Sequence, residues 1–263
     1  MNNSLYLSSV RARKPLVHHI TNWVTIYDCA QIVKSFGASP VMAHAPEEAA
    51  AMASLASSLV LNIGTLTADI IASMKIAARR ANEKGIPVVL DVCGAGATRF
   101  RDDMVRELLG AARIDIIKGN ASEVARVAGE DVRTKGVDAG DVRADTTAVA
   151  QRLARDRGCT VAVTGKIDVV ADAARVIRVG NGHEMMARVV GTGCMAASVI
   201  GTFAAVSPGL AEAAAAGLSC FGIAAERAAL RTKERGPAAF KEALLDEAYL
   251  LDGPTADGMG RIE

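Results

Sequence analysis

Gly191-Thr192-Gly193-Cys194 is a glycine-bearing turn directly ahead of residues 195–206, a stretch that is apolar, rich in small residues and free of proline. Val189 and Val190 before it read as a short extended segment. A glycine turn feeding a helix leaves the first backbone N–H groups without carbonyl partners, and they point at whatever lies in front. The helix dipole adds partial positive charge at the same end. Together these make a hole suited to phosphate, and the two glycines let the backbone come close because neither carries a Cβ. Cys194 stands at the mouth of the hole, where a base or nucleophile would stand. The alternative is a helix start that only tolerates glycine.

Four other groups have types and spacing that fit chemistry. Asp91 ends an apolar run and precedes the small-residue turn Gly94-Ala95-Gly96-Ala97-Thr98. A carboxylate there suits Mg²⁺ held through water, since Mg²⁺ keeps much of its hydration; it equally suits an aspartate that caps its own turn. Lys118-Gly119-Asn120 with Glu123 places a cation, an amide and a carboxylate within one helical turn. Asn120 and Glu123 share a helix face and could position a metal-bound water, or they form an ordinary capping box. Thr164-Gly165-Lys166 is either a nucleotide-contacting turn or an exposed loop. Asn22, Trp23, Met42 and His44 combine one aromatic ring, one thioether and polar tips, which suits a small heteroaromatic ligand; Trp23 and Met42 also suit a core.

The elements that must position these groups alternate strand and helix. Strands are expected at 16–20, 39–42, 58–63, 86–91, 115–118 and 160–164, and a strand pair with a tight turn at 169–172 and 175–179. Helices are expected near 25–36, from Pro46, at 67–83, 102–109, from Ser122, in a longer segment ending near Arg157, and at 193–206, 210–231 and 237–251. The strands are apolar without strict alternation, as in a parallel sheet covered on both faces. The pattern predicts one doubly wound α/β domain over residues 1–263, in which ligands collect outside the carboxyl ends of the strands. Thr21-Asn22, Asn62-Ile63-Gly64-Thr65, Asp91, Lys118-Gly119-Asn120 and Thr164-Gly165-Lys166 all follow strands directly. Five such motifs on one rim exceed what turn chemistry alone requires. The charged stretch 129–145 reads as a solvated loop.

Composition narrows the partners. A net charge of +1 gives no electrostatic case for nucleic acid. No apolar run looks long enough to span a bilayer, and the first residues lack the apolar core of a signal peptide. The five cysteines, Cys29, Cys93, Cys159, Cys194 and Cys220, are odd in number and show no CxxC spacing. A reduced, cytoplasmic protein with no membrane partner is the expectation. The 51% apolar content is compatible with surface buried between subunits.

The motifs together resemble a known family. His19-Ile20-Thr21-Asn22, Gly37-Ala38-Ser39-Pro40-Val41-Met42-Ala43 and Leu61-Asn62-Ile63-Gly64-Thr65-Leu66 are similar to hydroxyethylthiazole kinases. So are Gly94-Ala95-Gly96-Ala97-Thr98, Gly119-Asn120-Ala121-Ser122-Glu123, Gly136-Val137-Asp138, Val163-Thr164-Gly165-Lys166 and Gly191-Thr192-Gly193-Cys194. The resemblance runs from Pro15 to Leu251. It implies a ribokinase-like α/β fold, with a mostly parallel central sheet flanked by helices on both faces. It also implies phosphorylation of the hydroxyl of 4-methyl-5-(2-hydroxyethyl)thiazole by ATP and Mg²⁺ in thiamine salvage, in a homotrimer with sites at subunit interfaces. Carried across by motif, Met42 and Gly191 would contact the thiazole, with Asn22 beside them. Lys118 and Thr164 would contact ATP phosphates, and Asp91 and Glu123 would organise Mg²⁺ directly or through water. Gly191, Thr192 and Gly193 would supply the anion hole. Cys194 takes the place where most ribokinase-like kinases carry a catalytic aspartate. A thiol is a weak substitute for a carboxylate base, although a helix N-terminus lowers its pKa. Phosphoryl transfer leans mainly on positioning and charge stabilisation, so the resemblance predicts a working but slow enzyme.

Two positions depart from the family pattern. Asp91 is followed by Val92-Cys93-Gly94 where Pro-Val-Gly is usual, which removes a φ restraint. Lys118 stands where arginine is common, keeping the charge but losing a bidentate fork on phosphate. The competing readings are a hydroxymethylpyrimidine kinase or an ATP-dependent NAD(P)H-hydrate dehydratase, both expected to carry aspartate in place of Cys194, and a non-catalytic thiamine-precursor binding protein.

Overall fold

The structure is a computed structural model and describes residues 2–130 and 145–263. The expected loop at 129–145, with Gly136-Val137-Asp138, falls outside the described residues except at its ends.

Strands β1 (Leu16–Ile20), β2 (Ser39–Met42), β3 (Ser58–Asn62), β4 (Val88–Asp91), β5 (Ile116–Asn120), β6 (Thr160–Thr164), β7 (Asp168–Ala171) and β8 (Val176–Val179) form one eight-stranded sheet, in the order β2-β1-β3-β4-β5-β6-β7-β8. The first six run parallel. The last two join antiparallel, as the tight turn between them predicts.

Successive strand residues face opposite sides, and here both sides are covered. Val60, Val89, Ile116 and Ala162 pack under one layer. It contains α1 (Asn3–Arg13), α2 (Ile26–Ser35), α8 (Thr192–Ala204), α9 (Leu210–Arg231) and α10 (Pro237–Leu250). Leu59, Leu61, Val88, Leu90, Ile117, Val161 and Val163 face the other, which contains α3 (Pro46–Leu55), α4 (Ala68–Lys84), α5 (Arg99–Ala111), α6 (Ala121–Val127) and α7 (Thr146–Arg157). This double burial is why the strands read as unbroken apolar runs.

α8 sits directly on the middle of the sheet. A Cβ on Gly201 would lie 2.3 Å from Cγ2 of Val60, so only glycine permits the approach. The fold thereby brings the leading end of α8 over the carboxyl ends of β3 and β4.

Several expectations need correction. No strand precedes the glycine turn: a 3-10 helix, Glu184–Arg188, leads into it, capped by the His183 side chain on Met185 N–H. Val189 is extended, but Val190 lies in an exposed turn. α5 starts three residues earlier than expected because Thr98 caps it through Arg101 N–H. α1 and α11 (Gly253–Met259) escape the sequence pattern; each joins the fold through tertiary contacts, with Asn3 Nδ2 donating to Ser219 Oγ and to the Ala256 carbonyl, both at 3.0 Å. The expectation that no apolar run is long enough for a bilayer also fails, since α9 has the length and composition to cross one. Its alanines instead pack into the core, where small side chains let it lie close to α8 and α10.

Candidate active site

The carboxyl ends of the parallel strands carry a row of polar residues. The register pairs Asn62 with Asp91, Asp91 with Lys118, and Asn120 with Thr164. Each of Asn62, Asp91, Lys118 and Thr164 stands two residues beyond a core residue of the α8 face, namely Val60, Val89, Ile116 and Ala162. Two-residue spacing returns a side chain to the same face, so the apolar columns on the α8 and α9 side of the sheet end in polar groups.

These groups touch one another. Lys118 Nζ lies 3.4 Å from both Asp91 oxygens. Asn62 Nδ2 donates to Asp91 Oδ2 at 2.7 Å, and Asn22 Nδ2 donates to Asn62 Oδ1 at 3.0 Å and to Cys194 Sγ at 3.3 Å. A Cβ on Gly193 would stand 3.3 Å from Lys118 Nζ, which places the ammonium beside the first turn of α8. Gly191 has φ 97°, and a Cβ there would fall 2.5 Å from Thr25 Cγ2, so the turn requires glycine. α8 has no side-chain cap, and the Thr192 hydroxyl donates backwards to the Met186 carbonyl at 2.8 Å. Among the described residues, no side chain caps its leading amides, which leaves them to face a ligand.

Electrostatics follow from burial. Asn22, Asn62, Asp91, Lys118, Glu123 and Cys194 are all buried. Burial holds Asp91 well above the usual carboxylate range, with the Lys118 ammonium opposing it. Burial raises Glu123 as well, against Lys118 and the amides of Gly94 and Asn120. Burial works against the Lys118 charge, but Asp91, Glu123 and Cys194 outweigh it and the ammonium is held. A hydrogen bond from the Cys93 thiol pushes Cys194 down to about 5; burial opposes, while Lys118, Thr25 and Asn22 assist. Cys93 itself is driven upward by the same bond and by burial.

Of the residues singled out from sequence, Cys194, Gly191, Thr192, Gly193, Asn22, Lys118, Asp91 and Glu123 come together. Asp91 does not cap its own turn; its bonds go to Asn62 and Lys118. Glu123 completes the capping box, accepting from Asn120 N–H at 2.7 Å, and its other oxygen accepts from Gly94 N–H at 2.6 Å. Thr164 sits on the rim beside Asn120 and donates weakly to the Gly119 carbonyl at 3.4 Å, while Lys166 is exposed. Met42 ends the edge strand, half-buried, five strand steps from Thr164, or roughly 24 Å. Trp23 is not core: it is 55% exposed and lies against His44, ring centroids 4.9 Å apart. His44 is fixed to the backbone of Thr21.

Sequence reading gave no role to Thr25, Cys93, Arg101 or Asp168, and saw Asn62 only as part of a rim motif. Arg101 donates to the carbonyls of Ile63, Gly64 and Cys93 at 2.7–2.9 Å, tying the turns after β3 and β4 together. Asp168, raised by burial to about 6, accepts from Gly165 N–H beside Thr164. An arginine three positions past the Thr98 cap was the available signal for the first; nothing local marked the second.

A model of the hydroxyethylthiazole kinase family matches residues 7–253. A hydroxyethylthiazole kinase from Methanosarcina mazei is 54% identical over 98% of both chains. The solved structure of a hydroxyethylthiazole kinase protein from Pyrococcus horikoshii superposes with a TM-score of 0.90 at 40% identity, covering 99% of this chain and 98% of that one. A ribokinase-like superfamily protein from Enterococcus faecalis, 14% identical with a TM-score of 0.63 over 95% of this chain and 90% of its own, shares the fold.

Proposed function

Because the chain belongs to the hydroxyethylthiazole kinase family, we propose that it transfers the γ-phosphoryl group of ATP to the hydroxyl of 4-methyl-5-(2-hydroxyethyl)thiazole, in thiamine biosynthesis and salvage. The observation that carries this reading is the uncapped start of α8, with Lys118 beside it and Cys194 in its first turn. The amides of Thr192, Gly193 and Cys194 receive the migrating phosphoryl group, and Lys118 balances its charge. Cys194, held toward thiolate, takes the proton of the attacking hydroxyl. Asn22, Met42 and Gly191 seat the thiazole; Lys118 and Thr164 hold ATP phosphates.

Asp91 and Glu123 fit a hydrated magnesium ion. Both are buried carboxyl groups beside the Lys118 ammonium, and burial raises the proton affinity of each against that charge. Their oxygens already accept hydrogen bonds, so contact through water suits them better than direct ligation. When bound, Mg²⁺ would supply positive charge that offsets the charge on the phosphates.

The same reading makes the chain one domain of a cytoplasmic homotrimer. Trp23, Val24, Tyr27 and Val190 support the assembly: they are exposed apolar residues in segments that flank the site. Light scattering should give three chain masses.

ADP release, coupled to a spectroscopic readout, should occur with hydroxyethylthiazole and not with a hydroxymethylpyrimidine. Turnover of the pyrimidine alone, or of neither, would overturn the assignment. Cys194→Asp should retain or raise the rate; collapse of turnover in a folded variant would remove the base role from the thiol.

A further inference from the structure

Cys194 and Asp91 are linked through two buried amides, and the orientation of each amide is forced. Backbone N–H groups only donate. Thr25 N–H at 3.1 Å therefore fixes which end of Asn22 is oxygen, with the Thr25 hydroxyl 3.0 Å from the same oxygen. Gly64 N–H at 2.8 Å does the same for Asn62. Flipping Asn62 would set its NH₂ against the Gly64 N–H and the Asn22 NH₂, and its oxygen against a carboxylate. With both oxygens pinned, the Asn22 NH₂ must face Cys194 Sγ and the Asn62 NH₂ must face Asp91. The link thus presents an N–H donor at each end, one 3.3 Å from Cys194 Sγ and the other 2.7 Å from Asp91 Oδ2. Burial removes water as a competing partner.

We propose that Asn62 is a positioning residue for phosphoryl transfer, which fixes the Asp91 carboxylate directly and the Cys194 sulfur through Asn22. Asn62 is buried, and its side-chain amide hydrogen-bonds to Gly64, Asn22 and Asp91. It sets the separation and rotamers of the two acidic groups, the Asp91 carboxyl and the Cys194 thiol. Strand register supports this independently, since Asn62 stands level with Asp91 on the neighbouring strand. The inference rests on the kinase reading of Cys194 and Asp91.

Two variants test it. Asn62→Asp keeps the acceptor for Gly64 N–H and the Asn22 NH₂ but sets a second acidic group against Asp91 where the amide donor stood. Asn62→Ser loses the reach to both neighbours. Steady-state turnover with ATP and hydroxyethylthiazole should show kcat lowered at least about 10-fold in both, with each KM within about two-fold of wild type. Alkylation of Cys194 by iodoacetamide, followed by peptide mass spectrometry, should be unchanged in Asn62→Asp and altered in Asn62→Ser. A purely structural role would lower the melting temperature and leave kcat of the folded protein and Cys194 reactivity at wild-type values. Wild-type kcat in either folded variant overturns the inference. If wild type itself turns nothing over, the kinase reading falls instead.

Discussion

α6 and α8 start on the same edge of the same sheet, yet their first turns are finished differently. α6 is closed by its own side chains: Asn120 accepts from Glu123 N–H at 2.9 Å, and Glu123 returns the bond to Asn120 N–H at 2.7 Å. α8 begins at a glycine, and its Thr192 hydroxyl turns away to carbonyls behind it. A capped start has satisfied its donors internally and carries its own negative charge. An uncapped start keeps its donors, and its positive end, for something that arrives. The two helices show structural and functional uses of one physical feature, a single strand step apart: β5 runs into α6, and α8 lies over neighbouring β3 and β4.

The contrast breaks most severely at Gly191. Gly191→Val would place a branched side chain at φ 97° and against Thr25. Backbone strain of about 1–3 kcal/mol and displacement of the leading amides should cut ADP release by roughly 100-fold or more. Denaturant unfolding measured alongside separates the lost stability from the lost turnover. Wild-type turnover in this variant would mean that the α8 start is not the phosphoryl site.

A pH profile sharpens the chemistry at that start. Cys194 serves as base only when deprotonated, so kcat should be constant above its pKa and fall as pH drops through about 5. Cys93→Val removes the thiol that donates to Cys194, and the acid limb should move upward by about one pH unit. A limb that stays in place would show that Cys93 does not tune the site.

The capped helix should respond in stability rather than in turnover. Asn120→Ala should cost about 1 kcal/mol in urea or thermal unfolding, with kcat reduced only a few-fold through Glu123. The smallest effect is expected at Gly193→Ala. The added methyl would meet only the flexible end of Lys118, at 3.3 Å. Its signature should be a KM for ATP raised and a kcat lowered, each only a few-fold, since the ammonium moves and the amides do not.

The sequence made much of the scaffold legible because double burial writes strands as plain apolar runs. β6 and α9 match their expected bounds, Thr160–Thr164 and Leu210–Arg231. Chemistry-bearing residues were legible where they ended a strand or opened a helix, as Asp91, Lys118 and Cys194 do. The connections among them were not. Asn22 and Cys194 are 172 positions apart and meet only because α8 crosses the sheet. The pairing of Asn62 with Asp91 depends on register between neighbouring strands, which parallel strands separated by a helix do not encode locally. α1 was missed because its polar and apolar residues show little periodicity, and its place depends on Asn3 reaching distant elements.

Gly201 touches no substrate, yet it governs where substrate chemistry happens. It is nine residues along α8 from Thr192, or about 13 Å at 1.5 Å per residue. That contact with Val60 is a fulcrum. A tilt of about 5° there swings the leading tip by about 1 Å, an error that catalytic sites tolerate poorly. Precision at the rim is thus written into a position that a survey of ligand contacts would pass over, and a single methyl group there could silence the enzyme while every site residue remained intact.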